Sequence, residues 1–318
     1  MEKNQVLNDI RKNGKRNDWK EKKRANVQYS NLLQELEYKK ASNVRVCAEV
    51  LQFLKNDEGQ LKLKQAWFCK SRLCPMCNWR RSIKHSSQVI KIVDEAVKKH
   101  PKGRFLFWTL TTKNVFTGDE LNTELARMNK AFDRLMKYKK VQKNMLGYLK
   151  ATEVTVNSKD GSYNQHLHIL VFVKANYFSG KEDNYISQSE LTNFWKKSLK
   201  IDYTPIVNIK AVKAKANAKE QNVIAAVYET AKYPVKSIDY LTDNHEENLQ
   251  RVDDLEIGLK RKRLISFGGI FKEIRKELQL DDAEDGNLIH VGSEDEELTT
   301  GQMIVARWNW ERQNYFID

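Results

Sequence analysis

The chain has 318 residues, of which 40% are hydrophobic and 31% are charged, and its net charge is +14. This length allows about two domains with a sizeable core, and the positive charge favours a polyanionic partner, nucleic acid before membrane. No apolar run approaches the roughly 20 residues that span a bilayer, and the Lys-rich residues 1–40 lack the apolar core of a signal peptide. We therefore expect a cytoplasmic protein with no membrane partner.

Residues 1–40 are expected to form a basic tail. Residues 1–24 mix charges of both signs with few apolar side chains, which is typical of segments that are disordered or helical only when bound. Residues 27–38 carry leucines at helical spacing, and this pattern predicts a short helix.

Residues 41–90 contain all four cysteines and are predicted to form a zinc-binding, DNA-binding unit. In an intracellular protein, clustered cysteines are more often metal ligands than disulfides. Four thiolates around zinc make a closed structural site, so we expect a zinc-ribbon-like fold, with ordinary buried thiols as the alternative. The expected ligands are Cys47, Cys69, Cys74 and Cys77.

The fourth ligand and the role of the next residues leave alternatives open. His85 could replace Cys47 as a zinc ligand, although it lies in a basic run with a helical pattern. Arg80 and Arg81 follow the last cysteine directly, and we predict that they contact DNA phosphates or form a solvated helix face.

A regular pattern of strands and helices follows in residues 100–240, the expected catalytic domain. In chain order we predict a strand at 104–112, a helix at 118–138, strands at 147–156 and 163–173 joined by a turn at 159–162, a helix at 189–199, a strand at 207–212, and a helix at 217–233 that ends before Pro234. The first six elements match the split βαβ, ferredoxin-like arrangement. The sequence therefore predicts an α+β fold, with helices on one face of an antiparallel sheet and the other face free for a ligand.

Two histidines of the predicted strand 163–173 suit a metal ion. Side chains alternate across a strand, so His166 and His168 point to the same face. Glu153 lies in the strand expected to pair with them and could be the third ligand, or a solvent-facing residue. Imidazole ligands favour Mn, Zn or Fe, whereas a phosphodiester cut can use Mg, so we expect Mn²⁺ or Mg²⁺.

The predicted helix at 217–233 places a carboxylate and a phenol one turn apart. Glu229 and Tyr233 share one side of this helix, where Lys232 and Lys236 could hold a phosphate. Tyr228 is a rival nucleophile on another face. Taken alone, the pattern equally describes an exposed pair at a helix end.

The remaining sequence divides by charge. Residues 241–280 are expected to be a basic extension of the catalytic domain, an expectation that rests on the run Lys260-Arg261-Lys262-Arg263. Residues 281–318 are expected to form an acidic and aromatic tail. This tail could repel DNA, screen the basic body, recruit a host helicase or polymerase, or be a solvated disordered segment.

Together these motifs resemble the plasmid rolling-circle replication initiator (Rep) proteins of the single-tyrosine type, in the HUH endonuclease superfamily. The resemblance covers most of residues 45–275, and both the content and the order of the motifs agree. The matching segments are residues 68–81, 107–111, 153–155, 166–168, 229–233 and 263–269.

The resemblance implies an HUH endonuclease that nicks one DNA strand of a plasmid origin in the bacterial cytoplasm. It implies that Tyr233 attacks the phosphodiester and becomes linked to the 5′ phosphate, while His166, His168 and Glu153 hold the metal. It also implies that Glu229 activates the water of the terminating cleavage.

The resemblance also implies partners. It implies that the freed 3′ hydroxyl primes a host DNA polymerase, and a host helicase is a further expected partner. The oligomeric state stays open, with a dimer as one option. A relaxase or transposase of the HUH superfamily is the alternative within the class. A non-catalytic zinc-ribbon DNA-binding regulator is the alternative outside it.

Overall fold

The structure is a computed structural model that describes residues 5–11, 14–179, 184–212, 235–282, 284–292 and 301–318. The chain divides into two compact units. The first comprises Met1–Ser87, Tyr240–Val252 and Asp281–Asp318, and the second comprises Gln88–Asp239 and Asp253–Leu280. The domain boundaries predicted from the sequence differ from these two units. The prediction divided the chain into consecutive segments, whereas each unit is assembled from segments that are far apart along the chain.

The secondary structure of the described residues contains helices and strands in both units. The helices are α1 (Trp19–Glu35), α2 (Ala41–Arg45), α3 (Pro75–Lys99), α4 (Gly118–Leu135), α5 (Lys139–Asn144), α6 (Gln188–Leu199), α7 (His245–Gly258) and α8 (Ile270–Glu277). The strands are β1 (Val50–Lys55), β2 (Leu61–Ala66), β3 (Arg104–Thr111), β4 (Met145–Val156), β5 (Tyr163–Val173), β6 (Val207–Ala211), β7 (Ile265–Gly269), β8 (Gln302–Asn309) and β9 (Asn314–Ile317). None of the helices in this part of the chain has the length and apolar character needed to cross a membrane.

The first unit is built on an antiparallel sheet with the strand order β2-β1-β8-β9. Its core lies where Trp19 of α1 packs edge-on against Phe53 of β1 and Trp79 of α3, with ring centroids 5.9 and 4.7 Å apart. All three side chains are buried. Burial of large aromatic rings contributes strongly to the stability of a core of this kind.

Both ends of the chain take part in this unit, in contrast to the tails expected from the sequence. The helix α1 begins at Trp19, inside the segment expected to be disordered, because the buried Trp19 ring anchors its first turn. At the other end, Gln302–Arg307 of β8 pair with all six residues of β1, and the backbone N–H of Leu7 donates to the carbonyl oxygen of Tyr315 in β9. Residues 302–317 are therefore part of a sheet rather than a solvated tail.

The second unit is built on a sheet with the strand order β6-β3-β5-β4-β7, in which all neighbours are antiparallel. The β6-β3-β5-β4 part is compatible with the ferredoxin-like arrangement, and the α+β prediction with antiparallel sheets is confirmed. The strand β7 adds a fifth member beside β4, which the sequence pattern did not predict.

The strands β4 and β5 form the predicted hairpin, closed by a turn in which Asn157 N–H donates to Ser162 O at 2.8 Å. The helix α4 begins with a capping box formed by Thr117 and Glu120. Its predicted apolar stripe is buried, from Leu121 to Leu135. These local signals explain why the elements form where the sequence places them.

The two faces of this sheet are covered differently. Lys150 of β4 lies on one face beneath α4, with its Nζ 4.9 Å from the centroid of the Phe132 ring. On the other face, Phe172 packs against Phe271 of α8 and His100, with ring centroids 6.1 and 6.3 Å apart. The prediction of one wholly free face is therefore wrong at that end, because α8 and the residue after α3 pack on it.

Candidate active site and metal centres

The histidine cluster of the second unit is built by the register of three adjacent strands. Glu153 of β4 stands directly opposite His166 of β5, and Ala151 stands opposite His168. On the other side of β5, Thr111 and Thr109 of β3 face the same two histidines. Residues that pair directly across a sheet share a face, so the alternation along β5 brings the predicted carboxylate and imidazoles together.

The distances within this cluster are short enough for one ion. Glu153 Oε2 lies 2.9 Å from His166 Nε2 and 2.8 Å from His168 Nε2. The two imidazole rings are nearly perpendicular, with centroids 4.6 Å apart. Two nitrogens and one carboxylate oxygen form a donor set that suits a divalent transition ion and leaves positions open for a substrate.

Electrostatics favour the charged form of the carboxylate. Burial raises the pKa of Glu153, but the hydrogen bonds and positive charges of His166 and His168 outweigh burial and hold that pKa well below its usual value. An ionised carboxylate is the form of Glu153 that metal binding requires.

Thr109 adds a contact behind the cluster that the sequence reasoning missed. Its Oγ1 lies 3.3 Å from Nδ1 of His168, on the side of the ring away from Glu153. The Phe107 ring also packs on His168, with centroids 5.2 Å apart. The available signal was the alternation of Phe107, Thr109 and Thr111 along a strand expected to lie in the same sheet as the histidines.

Most of the second predicted cluster cannot be placed. Glu229, Lys232 and Tyr233, and with them the predicted helix at 217–233, lie outside the described residues. Lys236 is described, and its side chain is exposed. The roles assigned to these four residues stay predictions.

The four cysteines of the first unit converge from separate elements. Cys47 follows α2, Cys69 follows β2, and Cys74 and Cys77 lie at the beginning of α3. All four Sγ atoms lie within 4.8 Å of one another.

The sulfur–sulfur distances distinguish a metal site from a disulfide. Cys77 Sγ lies 3.6 Å from the Sγ atoms of both Cys47 and Cys69, and Cys74 Sγ lies 3.8 Å from that of Cys47. A tetrahedron with Zn–S bonds of about 2.3 Å has edges of about 3.8 Å, whereas a disulfide needs about 2.05 Å. The residues therefore fit a zinc ion. The cluster includes Cys47 and leaves out His85.

The surroundings of the sulfurs provide donors and a positive charge. Asn26 Nδ2 donates to Cys74 Sγ at 3.3 Å, and the Cys69 N–H donates to Cys47 Sγ at 3.4 Å. The ammonium of the fully buried Lys23 donates to the carbonyl of Cys47 at 2.7 Å. Burial raises the pKa of the Cys47 and Cys77 thiols, whereas at Cys74 the hydrogen bonds of the other three thiols outweigh burial and lower the pKa. A bound cation would stabilise the thiolate form of all four cysteines.

Arg80 and Arg81, predicted to contact DNA, are used within the first unit. Arg80 Nε donates to Leu288 O at 2.9 Å, and Arg81 Nε donates to Glu284 O at 2.8 Å. Both side chains are buried. These bonds give both guanidinium groups partners within the protein. They attach the segment that contains Glu284 and Leu288 to α3. Their predicted DNA contacts stay untested, and the geometry favours a structural role.

Comparisons with known proteins agree with this organisation. A family model described as "Replication protein" matches residues 60–316. The chain is 50% identical to "Protein rep" of Lactiplantibacillus plantarum over 316 residues, covering 98% of this chain and 99% of that protein. It is 48% identical to "Protein rep" of Lentilactobacillus hilgardii, covering 98% of each.

A shorter relative matches most of the chain. The chain is 51% identical to a "Replication protein" of Staphylococcus aureus over 235 residues, covering 74% of this chain and 99% of that protein. No solved structure matches the chain. The chain therefore belongs to the replication protein family, and the resemblance to Rep replication initiators inferred from its motifs is confirmed.

Proposed function

We propose that this replication initiator acts as an HUH endonuclease that starts rolling-circle replication of a plasmid by nicking one strand of its origin. The observation that carries the proposal is the Glu153 carboxylate, which contacts both His166 and His168 on one face of the sheet. This donor set lies in a ferredoxin-like sheet of a chain that belongs to the replication protein family.

The cluster would hold the scissile phosphate for reaction. Glu153, His166 and His168 would bind Mn²⁺ or Mg²⁺, which when bound polarises a phosphate oxygen and stabilises the charge that develops on it. Thr109 would keep His168 oriented through its Nδ1. The exposed Lys236 would add a positive charge for a phosphate.

The proposed cleavage is a transesterification at phosphorus. The phenolic oxygen of Tyr233 forms a bond to phosphorus after its proton is removed, and the bond from phosphorus to the 3′ oxygen breaks. The leaving 3′ oxygen takes a proton and becomes the primer for a host DNA polymerase. In termination, Glu229 removes a proton from water, and the water oxygen forms a bond to phosphorus in a phosphodiester at the regenerated origin. The bond from phosphorus to the 3′ oxygen breaks and that oxygen takes a proton, which leaves a 5′ phosphate and a 3′ hydroxyl.

The cysteine cluster has a structural part in this proposal. Cys47, Cys69, Cys74 and Cys77 would hold one Zn²⁺ in a zinc-ribbon-like unit, and zinc binding would contribute directly to the folding of these segments. Recruitment of a host helicase and assembly as a dimer belong to the same proposal and are separate from the chemistry.

A nicking assay on supercoiled plasmid that carries the cognate origin tests the proposal. With Mn²⁺ we expect open-circular DNA and a denaturant-resistant protein–DNA adduct from the wild-type protein. Tyr233→Phe should abolish both products, whereas Glu229→Ala should nick and form the adduct but fail to terminate. Binding without nicking under all divalent ions would support the non-catalytic regulator.

A further inference from the structure

Trp67 of the first unit differs from the other tryptophans around it. Its side chain is 50% exposed, whereas Trp19, Trp79 and Trp308 are buried. Tryptophan is enriched at binding interfaces, because its large ring gains much from burial while its N–H can still reach a polar partner. Trp67 therefore marks a candidate interaction surface.

The exposed indole lies beside the cysteine cluster. The backbone N–H of Ala48 donates to Trp67 O at 2.7 Å, which fastens Trp67 to the segment that carries Cys47. Val46, on the other side of that cysteine, is 41% exposed. The backbone that presents Trp67 and Val46 is thus tied to the proposed zinc site, and a fixed platform binds a ligand with less loss of conformational entropy than a mobile loop.

The strand that leads to Trp67 is basic. The strand β2 is an edge of its sheet and carries Lys62 and the exposed Lys64. The pairing of β1 with β2 shifts register beside Gln65, a local bulge that changes how side chains project. The nearest acidic residues in the sequence, Asp57 and Glu58, lie in the turn at the far end of β2.

A second cluster of basic residues in this unit, formed by Arg80, Arg81 and Lys84, already makes contacts within the protein. Lys84 Nζ lies 2.5 Å from Asp281 Oδ2 and 2.6 Å from Asn287 O, and Lys84 is buried together with Arg80 and Arg81. A phosphate would have to displace these contacts. In contrast, Lys64 of β2 and Trp67, which follows β2, are exposed, and Lys62 is half-buried.

We propose that Trp67, Lys62 and Lys64 form a DNA-contacting surface of the cysteine-bearing unit, with an unpaired base stacked on the indole and backbone phosphates at the lysines. Exposed aromatic rings flanked by cations bind single-stranded DNA in this way, with little dependence on sequence. The surface deepens the proposed function, since it assumes only that the partner is DNA and is independent of the nicking chemistry.

Equilibrium binding of a fluorescent single-stranded oligonucleotide, measured without added divalent ion, tests this surface. Trp67→Ala should weaken binding about tenfold, the loss typical of one base–aromatic stack, while Trp67→Phe should retain most of the affinity. The double variant Lys62→Gln/Lys64→Gln should reduce the slope of log K against log salt by about 1.4, since each neutralised phosphate contributes about 0.7.

The matched control removes the same charge elsewhere. Lys137 and Lys139 are exposed residues of the second unit, and Lys137→Gln/Lys139→Gln should reduce the slope by much less. Zinc content and circular dichroism of each variant establish that it has folded. If Trp67→Ala misfolds, the comparison of the two lysine double variants tests the proposed surface.

Two results would contradict the proposed DNA-contacting surface. One is unchanged oligonucleotide affinity in a folded Trp67→Ala protein, whether or not its oligomeric state changes. The other is an equal loss of salt dependence in both lysine pairs. Adduct formation by the wild-type protein is measured separately, so a failure of the nicking proposal is distinguishable from a failure of this surface.

Discussion

Thr109 Oγ1 lies 3.3 Å from His168 Nδ1, and the two residues stand directly opposite each other in the pairing of β3 with β5. When an ion is bound, a proton on Nδ1 donated to this hydroxyl would leave the lone pair of Nε2 to face the ion. Hydrogen bonds to the second nitrogen of a ligating histidine fix its tautomer and its ring orientation. Thr109 is therefore a positioning residue for the proposed catalytic ion.

Removal of this hydroxyl should weaken metal binding. We expect Thr109→Val to lower the Mn²⁺ affinity about tenfold, as is usual for contacts behind a metal ligand, while Thr109→Ser retains it. Isothermal titration with Mn²⁺ measures this directly. Thr111→Val is the matched control, because Thr111 Oγ1 donates instead to Ile206 O at 2.8 Å. Equal losses in Thr109→Val and Thr111→Val would show that the effect is general to the strand.

The geometry of the cysteine cluster leads us to predict the zinc content of the protein and the stability of its first unit. The wild-type chain should contain one zinc ion by elemental analysis, and Cys74→Ser should lose it and unfold the first unit at lower denaturant concentration. The control is Met76→Leu, a volume-conserving change of a buried neighbour, which should keep the zinc. A wild-type protein with no zinc and four titratable thiols would contradict the site.

Substitution of Arg81 distinguishes a structural role of this side chain from a role in DNA binding. Its guanidinium donates to Ser71 O at 3.0 Å as well as to Glu284 O, so Arg81→Met leaves several buried acceptors without a donor. We expect a loss of roughly 2 kcal/mol in the free energy of unfolding, with no change in the salt dependence of DNA binding. A stable Arg81→Met protein with a smaller salt slope would restore the phosphate contact predicted from the sequence.

Lys150 should make the stability of the second unit depend on alkaline pH. Burial lowers its pKa to about 8, while Asp133 acts in the opposite direction; an unfolded lysine has a pKa of about 10.4. Between these two pH values the unfolded chain binds more protons, so this group makes stability rise with pH. Below pH 8 both states are protonated, and the full cost of the buried charge is present.

The change Lys150→Met removes that cost together with the hydrogen bond to Asn129 Oδ1 at 2.5 Å. We expect the variant to be more stable than wild type by about 1–3 kcal/mol at pH 7, and the difference should shrink towards pH 10. Urea unfolding at a series of pH values measures the difference, and a constant difference across this range would contradict the lowered pKa.

Local patterns predicted the second unit well because its signals are short in range. The apolar stripe from Leu121 to Leu135 and the turn between Asn157 and Ser162 each lie within a few residues. Alternation along β5 placed His166 and His168 on one face, and the hairpin brought Glu153 opposite them. The site therefore follows from local periodicity together with one strand pairing.

The first unit could not be predicted in the same way, because its contacts join distant parts of the chain. Nothing near β8 in the sequence indicates that it pairs with β1, and the burial of Trp19 depends on Phe53 and Trp79. Arg80 looked like a phosphate ligand because its carbonyl partner, Leu288, lies far along the chain. Charge and spacing show which groups can bind, whereas the fold decides which of them are already used.

Mapping the residue joined to DNA after nicking tests the central claim most directly. The wild-type protein is incubated with Mn²⁺ and origin oligonucleotide, the adduct is digested, and the cross-linked peptide is sequenced by mass spectrometry. The account predicts a phosphodiester on Tyr233, lost in Tyr233→Phe and strongly reduced in Glu153→Gln. An adduct on Tyr228 or on another residue, or nicking with no covalent adduct, would contradict it.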